Sequence, residues 1–331
     1  MTARGDPEAV FETVQTEMQR VLIGNEPVIE RLFGALMTGG HVLLEGPPGV
    51  AKTTIAELFA RVTGLEYNRI QLTPDTLPAD ITGTTVYREE TDDFEVRKGP
   101  VFANVVIADE INRATPKTQS ALLEAMQERQ VTIDGTDYRL PEPFLVVATQ
   151  NPLEMEGTFE LPEAQRDRFQ FKRIVGAPNR AAERQLLERF HDAPTLDARA
   201  VEQAVAPERL TTLRETIAAV HIGTEVREYL LDLIRATREH PSVAHGASPR
   251  AALQLQDAVK ARAAIHGRTY VIPDDIKQVA DDVLAHRLVL STDATLGDVT
   301  PRSVVEGILA DTESPSAAAA EPSADSESLP E

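Results

Sequence analysis

The chain has 331 residues, with no cysteine and no tryptophan, and its 53 acidic against 33 basic side chains leave a formal net charge of −20. Disulfides and thiolate metal sites are therefore excluded, and a surface this acidic repels nucleic acid and anionic lipid unless a basic stripe interrupts it; none is visible. The length suits about two domains, and aliphatic side chains must build the core because aromatics are only 5% of residues.

Six lysines against 27 arginines, combined with this acidity, point to a salt-rich cytosol in which long-range repulsion is screened. No run approaches 18 consecutive apolar residues, and MTARGDPEAV lacks the apolar segment of a signal peptide. A soluble, cytoplasmic protein without stable membrane insertion is expected.

In chain order, Val10, Val14, Met18, Val21 and Leu22 fall at helical spacing before Ile23-Gly24-Asn25 breaks the pattern. A second helix spans 26–38 and stops at Gly39-Gly40. HVLLEGPPGVAKTT follows at 41–54. It contains an apolar strand (Val42, Leu43, Leu44), a loop of two glycines and two prolines, and the start of an amphipathic helix carrying Ile55, Leu58, Phe59 and Val62.

That order builds an anion cradle. Gly46, Pro47, Pro48, Gly49, Val50 and Ala51 supply a loop whose N–H groups face inward, and the helix beyond them adds its positive end. Lys52 contributes a point charge for β- and γ-phosphates and Thr53 a hydroxyl for Mg²⁺, with Thr54 beside it in the first turn. Ala51 holds the place of the second glycine in G-x-x-x-x-G-K-[ST]. A helix opening at φ near −60° tolerates alanine, whereas a left-handed conformation would exclude it. An ordinary strand-to-helix turn is the competing reading of this stretch, and a second site must decide.

Tyr67 to Leu72 reads as a strand, and residues 73–104 are too long for a simple sheet connection. Within them TTVYRE and DFEVRKG, split by the polar turn Thr91 to Asp93, suggest a β-hairpin. Val105, Val106 and Ile107 then form a short β-branched run suited to a central parallel strand, and Asp109 and Glu110 end it. Carboxylates at a strand's C-terminal end sit where open α/β sheets bind ligands. Asp109 is placed to hold Mg²⁺ through its water shell, and Glu110 to take the proton from an attacking water.

Thr115-Pro116 opens a helix in which Leu122, Ala125, Met126 and Arg129 share a face, the apolar members toward the sheet. VTIDGTDYRL, 131–140, alternates around Asp134-Gly135 as a small hairpin. Phe144 to Ala148 is another buried strand delivering Thr149-Gln150-Asn151, and an amide at Asn151 would orient water against a γ-phosphate. Arg166 and Arg168 follow, with Arg113 as a third guanidinium suited to charge on a phosphoryl transition state; in a ring, such a group reaches the neighbour's nucleotide.

Phe169 to Val175 closes the sheet, after which helical patterns dominate: 180–191, 207–217, 225–239, 249–266 and 274–286. Ser248-Pro249 caps the fourth of these and leaves Arg250 near the helix's positive end, a mild misfit that a phosphate would relieve. The final stretch, DTESPSAAAAEPSADSESLPE, has six carboxylates and no base, and reads as disordered.

GPPGVAKT together with ADEINRATPKTQSALLEAMQERQ resembles the MoxR family of AAA+ ATPases, and ATQNP (148–152), EGTFELPEAQRDRF (156–169) and GASPR (246–250) agree with it. The resemblance covers roughly residues 8–310. It implies an α/β fold: an AAA+ P-loop NTPase core at 1–177, with a parallel sheet sandwiched by helices and hairpin insertions, then an all-α lid at 178–310 and an acidic tail at 311–331. It implies Ile23 and Gly24 as adenine contacts, Asn151 as the sensor 1 residue, Arg168 as the arginine acting in trans, and Arg250 as sensor 2. Arg166 stands where most members carry an apolar residue. ATP and Mg²⁺ are the implied cofactors. The implied activity is Mg-dependent ATP hydrolysis that remodels or matures partner proteins, performed by a homo-oligomeric ring, expected to be a hexamer. The first hairpin would project into its pore toward client protein, and a von Willebrand A-domain partner is expected. A nucleotide-switched scaffold with little turnover and a chelatase-type motor subunit stand as alternatives.

Overall fold

A computed structural model describes residues 6–90, 92–152, 157–193 and 195–316. Thr91 of the expected turn and residues 317–331 of the expected acidic tail lie outside them. The chain divides into two compact units, one of residues 12–210 and one of residues 1–11 with 211–331.

The first unit is a five-stranded parallel sheet with helices. In chain order it holds most of α1 (Pro7–Gln19), then α2 (Glu26–Thr38), β1 (Val42–Glu45), α3 (Lys52–Val62), β2 (Tyr67–Gln71), α4 (Pro78–Thr82), and the hairpin β3 (Gly83–Arg88) and β4 (Asp93–Lys98). It continues with β5 (Val105–Asp109), α5 (Pro116–Glu128), the hairpin β6 (Gln130–Ile133) and β7 (Thr136–Arg139), β8 (Leu145–Gln150), α6 (Glu163–Arg166), β9 (Phe171–Ile174) and α7 (Arg180–Asp192). Strand order is β2-β5-β8-β1-β9.

Its central strands β5 and β8 are buried almost throughout, as their unalternating Val/Ile/Ala runs require when helices cover both faces. On one face Leu122, Leu123 and Met126 of α5 pack with Leu43, Ile70, Val106 and Val146. Ile55, Leu58, Phe59 and Val62 of α3 are fully buried as well.

Both expected hairpins are present. Asp134 (φ 47°) and Gly135 (φ 79°) take the paired left-handed conformations that a two-residue hairpin turn needs. Thr115 caps α5, its hydroxyl accepting from the Thr118 N–H at 3.4 Å, with Pro116 in the first turn. Helices begin at 180 as the pattern predicts, yet the compact unit runs on past the expected boundary at 177. The reason is that the following segment is tied back to the core: Arg189 donates to the Gln19 carbonyl at 2.6 Å, and the Ala204 N–H to the Val62 carbonyl at 2.8 Å.

In the second unit, α8 (Pro207–Ala218) crosses into it at 211, and α9 (Thr224–Glu239), β10 (Val243–His245), α10 (Pro249–Ile265), α11 (Pro273–Leu284), β11 (Val289–Leu290), α12 (Thr292–Thr295) and α13 (Pro301–Asp311) follow. It is helical, with one small antiparallel ladder, β10 with β11, that periodicity did not reveal. The last helix, α13, was also not expected; Thr300 caps it, accepting from the Ser303 N–H at 3.1 Å.

Candidate nucleotide-binding site

The site grows from strand order. Because β8 lies between β1 and β5, the loop after β1 and the carboxylates after β5 stand on either side of one strand's end. That strand laces them together. The Gly46 N–H donates to the Gln150 carbonyl at 3.2 Å, and the Thr149 hydroxyl donates to Asp109 Oδ1 at 3.1 Å while accepting from the Glu110 N–H at 3.0 Å.

Gly46 has a steric requirement: a Cβ there would collide with the Val175 carbonyl. Gly49 has a conformational one, φ +84° with open space around it. Ala51 is a correction to the sequence reading. It adopts φ 64°, ψ 22° rather than a helix-opening φ near −60°, and α3 begins at Lys52. The left-handed conformation strains an L-residue by ~1–2 kcal/mol without forbidding it. Alanine is thus accommodated there rather than excluded.

Lys52 folds back over the loop, its Nζ donating to the carbonyls of Gly46 and Pro47, each at 2.7 Å. Thr53 donates its hydroxyl to Asp109 Oδ1 at 2.8 Å across 56 positions of sequence. Arg69 Nε reaches Asp109 Oδ2 at 2.6 Å, so donors cover both oxygens of this buried carboxylate. Glu110 also takes a left-handed conformation, φ 58°, where the chain leaves β5 and reverses. Its Oε2 accepts from Gln71 at 2.8 Å and from Arg113 at 3.0 Å.

These groups line a cavity of about 400 Å³. Pro48, Gly49, Ala51, Lys52, Thr53 and Thr54 form one wall, Asp109, Glu110, Thr149, Gln150 and Asn151 another, and Arg69 with Gln71 a third. Sequence reasoning missed Arg69 and Gln71. Their signal was the alternation around buried Ile70 on β2, which became meaningful only once β2 paired with β5 and put Gln71 opposite Asp109.

Ile23 is buried and Gly24 turns at φ 72°, but neither lines this cavity. Arg168 and Arg166 follow and end α6 outside it, whereas Arg113 is engaged with its own chain's Glu110. Arg250 is exposed in the first turn of α10, where Ser248 caps by accepting from the Ala251 N–H at 3.2 Å.

Comparison with known proteins agrees with this fold. The model of the ATPase family associated with various cellular activities (AAA) matches residues 41–171, and that of the AAA lid domain matches 235–308. The chaperone MoxR1 of Mycobacterium tuberculosis is 45% identical over 302 residues, covering 88% of this chain and 79% of the relative. The chain belongs to the MoxR family of AAA+ ATPases. Protein MoxR of Methylorubrum extorquens is 35% identical across 86% of this chain and 88% of its own length. Among solved structures, a candidate ATPase from Cytophaga hutchinsonii superposes with a TM-score of 0.87 at 41% identity, covering 94% of this chain and 96% of that one.

For a MoxR-family site the donor set has the right chemistry for a hard divalent cation. Thr53 Oγ1 and Asp109 Oδ1 are 2.8 Å apart. Hydroxyl and carboxylate oxygens are the ligands Mg²⁺ prefers, with substrate phosphates completing its shell. Among the described residues no helix is long and apolar enough to cross a membrane.

Proposed function

We propose that this MoxR-family chain hydrolyses ATP with Mg²⁺ and uses the energy to remodel or mature partner proteins as a homo-oligomeric ring, expected to be a hexamer. The observation that carries the reading is the Thr53–Asp109–Thr149–Glu110 network beside Lys52, which joins a phosphate loop to a pair of carboxylates in one cavity.

In this reading the N–H groups of Gly49, Val50 and Ala51, those opening α3 and the Lys52 ammonium bind the phosphates, Pro47 and Pro48 having no N–H and that of Gly46 being given to the Gln150 carbonyl, and the lysine exchanges loop carbonyls for phosphate oxygens. Thr53, and Asp109 through the water shell, would hold Mg²⁺, which would supply neutralising charge for the phosphates. Glu110 accepts a proton from the attacking water, and Asn151 orients that water. Gln71 and Arg113 both donate to Glu110 Oε2, so the proton goes to Oε1 unless one of these partners is exchanged. Arg168 of an adjoining subunit serves the transition-state charge, Arg250 senses nucleotide from the helical unit, and Ile23 and Gly24 flank the adenine. The β3–β4 hairpin contacts client in the pore; its exposed Tyr87 and Phe94 pair across the strands with ring centroids 5.3 Å apart. A von Willebrand A-domain partner and a cytoplasmic setting complete the proposal.

One observation favours a second reading. The same Gln71 and Arg113 contacts suit a nucleotide-switched scaffold that holds its partner with little turnover. Phosphate release by Glu110→Gln decides between them. Hydrolysis requires a fall of about 10²–10⁴-fold with nucleotide still bound, and an unchanged rate overturns the enzymatic reading.

A further inference from the structure

Residues 157–168 carry Arg166 and Arg168 toward a neighbouring site, if the ring reading above is right, and something must hold them in register with the chain's own nucleotide site. Leu161 is buried in the core cluster, and Phe169 anchors the far end of the segment. Between these anchors and the turn after Glu110 runs a second, polar connection. The Phe159 N–H donates to the Asn112 carbonyl at 2.6 Å. Gln119 of α5, 1% exposed, uses its amide nitrogen twice, donating to the Ile111 carbonyl and to the Phe159 carbonyl, each at 3.0 Å. Ile111 is the residue after Glu110. One buried side chain therefore clasps the turn bearing the candidate general base to the segment bearing the candidate trans-acting arginines.

Gln119 is costly to keep for packing alone. Its Oε1 is buried with no hydrogen-bond partner, so the amide is retained at a desolvation penalty while its two donated bonds do the holding. The neighbouring Ser120 hydroxyl, on the exposed side of α5, takes a weaker contact from Gln165 of α6 at 3.4 Å, a second link from α5 to the segment that carries the arginines. A shift of the Glu110 turn would carry the Ile111 carbonyl with it, and Gln119 is the bond by which that shift would reach Phe159.

We infer that Gln119 is a positioning residue that sets the placement of the arginine segment presented to the adjoining subunit, coupling it to the state of its own subunit's Glu110 turn. The inference rests on hydrolysis by a ring with an arginine in trans. Gln119 is not among the residues that line the cavity; it acts through Phe159 and the residues that follow.

Mixed rings test it. Glu110→Gln subunits lack the general base but offer an intact arginine segment. Gln119→Met subunits keep their own site but misplace the segment, because a thioether of similar length donates no hydrogen bond. Gln119→Asn, one methylene too short to bridge both carbonyls, is the second variant. Each pure Gln119 variant should lose about 10- to 100-fold in kcat, the scale of a misplaced catalytic group, with KM near wild type. Mixing either with Glu110→Gln subunits should restore turnover above the sum of the components, since a competent site then meets a competent arginine. A mixture of Glu110→Gln with the double variant Arg166→Ala/Arg168→Ala is the control. Recovery in the control without recovery in the Gln119 mixtures overturns the role of Gln119 and leaves the trans-acting arginine standing. No recovery in the control overturns the trans-acting reading, and this inference with it.

Discussion

The left-handed alanine in the phosphate loop gives the sharpest prediction. At φ 64°, ψ 22°, Ala51 is also the N-cap of α3 and makes no capping hydrogen bond with its side chain. Replacing it with glycine removes ~1–2 kcal/mol of steric strain. The added freedom of the unfolded chain takes back ~0.4–1 kcal/mol, while the capping preference for glycine over alanine offsets part of that loss. Ala51→Gly is therefore expected to stabilise the first unit by about 1 kcal/mol, a rise of about 2–4 °C in its thermal midpoint. Ala51→Val must move the other way, because a β-branched side chain at positive φ is a genuine outlier. Nucleotide affinity in Ala51→Gly should stay within about threefold of wild type, since the loop N–H groups are unchanged. Thermal unfolding followed by circular dichroism reads the stability and fluorescent-nucleotide titration the affinity. A lower midpoint for Ala51→Gly, or the same sign for both variants, refutes the strain argument.

Four further outcomes are expected. Removing the half-exposed guanidinium from Asp109 with Arg69→Gln should lower the Mg²⁺ needed for half-maximal turnover by about two- to fivefold, and a higher requirement contradicts a competing role for Arg69. His41 is held at a pKa of about 3, against an ordinary 6.5, by burial and then by the nearby Arg129 charge. It stabilises the fold fully above pH 6.5, and that stability drains away as pH falls toward the folded value, at about 1.4 kcal/mol per pH unit. Urea midpoints of wild type and His41→Gln near neutral and near pH 5 should diverge by about 2 kcal/mol, and parallel profiles refute it. Arg129 donates to the Phe144 carbonyl at 2.6 Å and to the Gly39 carbonyl and stacks on the Phe144 ring, so Arg129→Leu should cost about 2–3 kcal/mol in urea unfolding; a loss within about 0.5 kcal/mol would show these bonds to be idle. Screening of the −20 charge should raise the thermal midpoint between about 0.1 M and about 2 M KCl, and indifference to salt rejects the salt-adapted reading.

Most elements of both units were legible because their signals are local. Asp134-Gly135 names its hairpin, Thr115-Pro116 opens a helix, and the unbroken Val105–Ile107 run belongs in a sheet covered on both faces. The features that escaped depend on non-local pairing. The β10–β11 ladder joins segments separated by two helices, and neither strand exceeds three residues, too short for a period to show. Arg69 and Gln71 carried no signal of their own until β2 paired with β5 and set Gln71 opposite Asp109. The boundary expected at 177 followed a change in composition, whereas compactness followed the bonds from Arg189 and Ala204 back to the core.

The amino-acid sequence alone determined the parts of the site and their kinds: a glycine-rich loop with Lys52 and Thr53, paired carboxylates ending a buried strand, and a family resemblance that comparison supports. These are properties of residue type and spacing, carried by each segment on its own. Tertiary structure alone decided that β8 would separate β1 from β5, so that its Gln150 carbonyl takes the loop's Gly46 N–H while Thr149 holds the carboxylate turn, and that Ala51 and Glu110 would both hold left-handed backbones. Strand order and φ are settled by what packs against a segment rather than by the segment itself, which is why no window of sequence contains them.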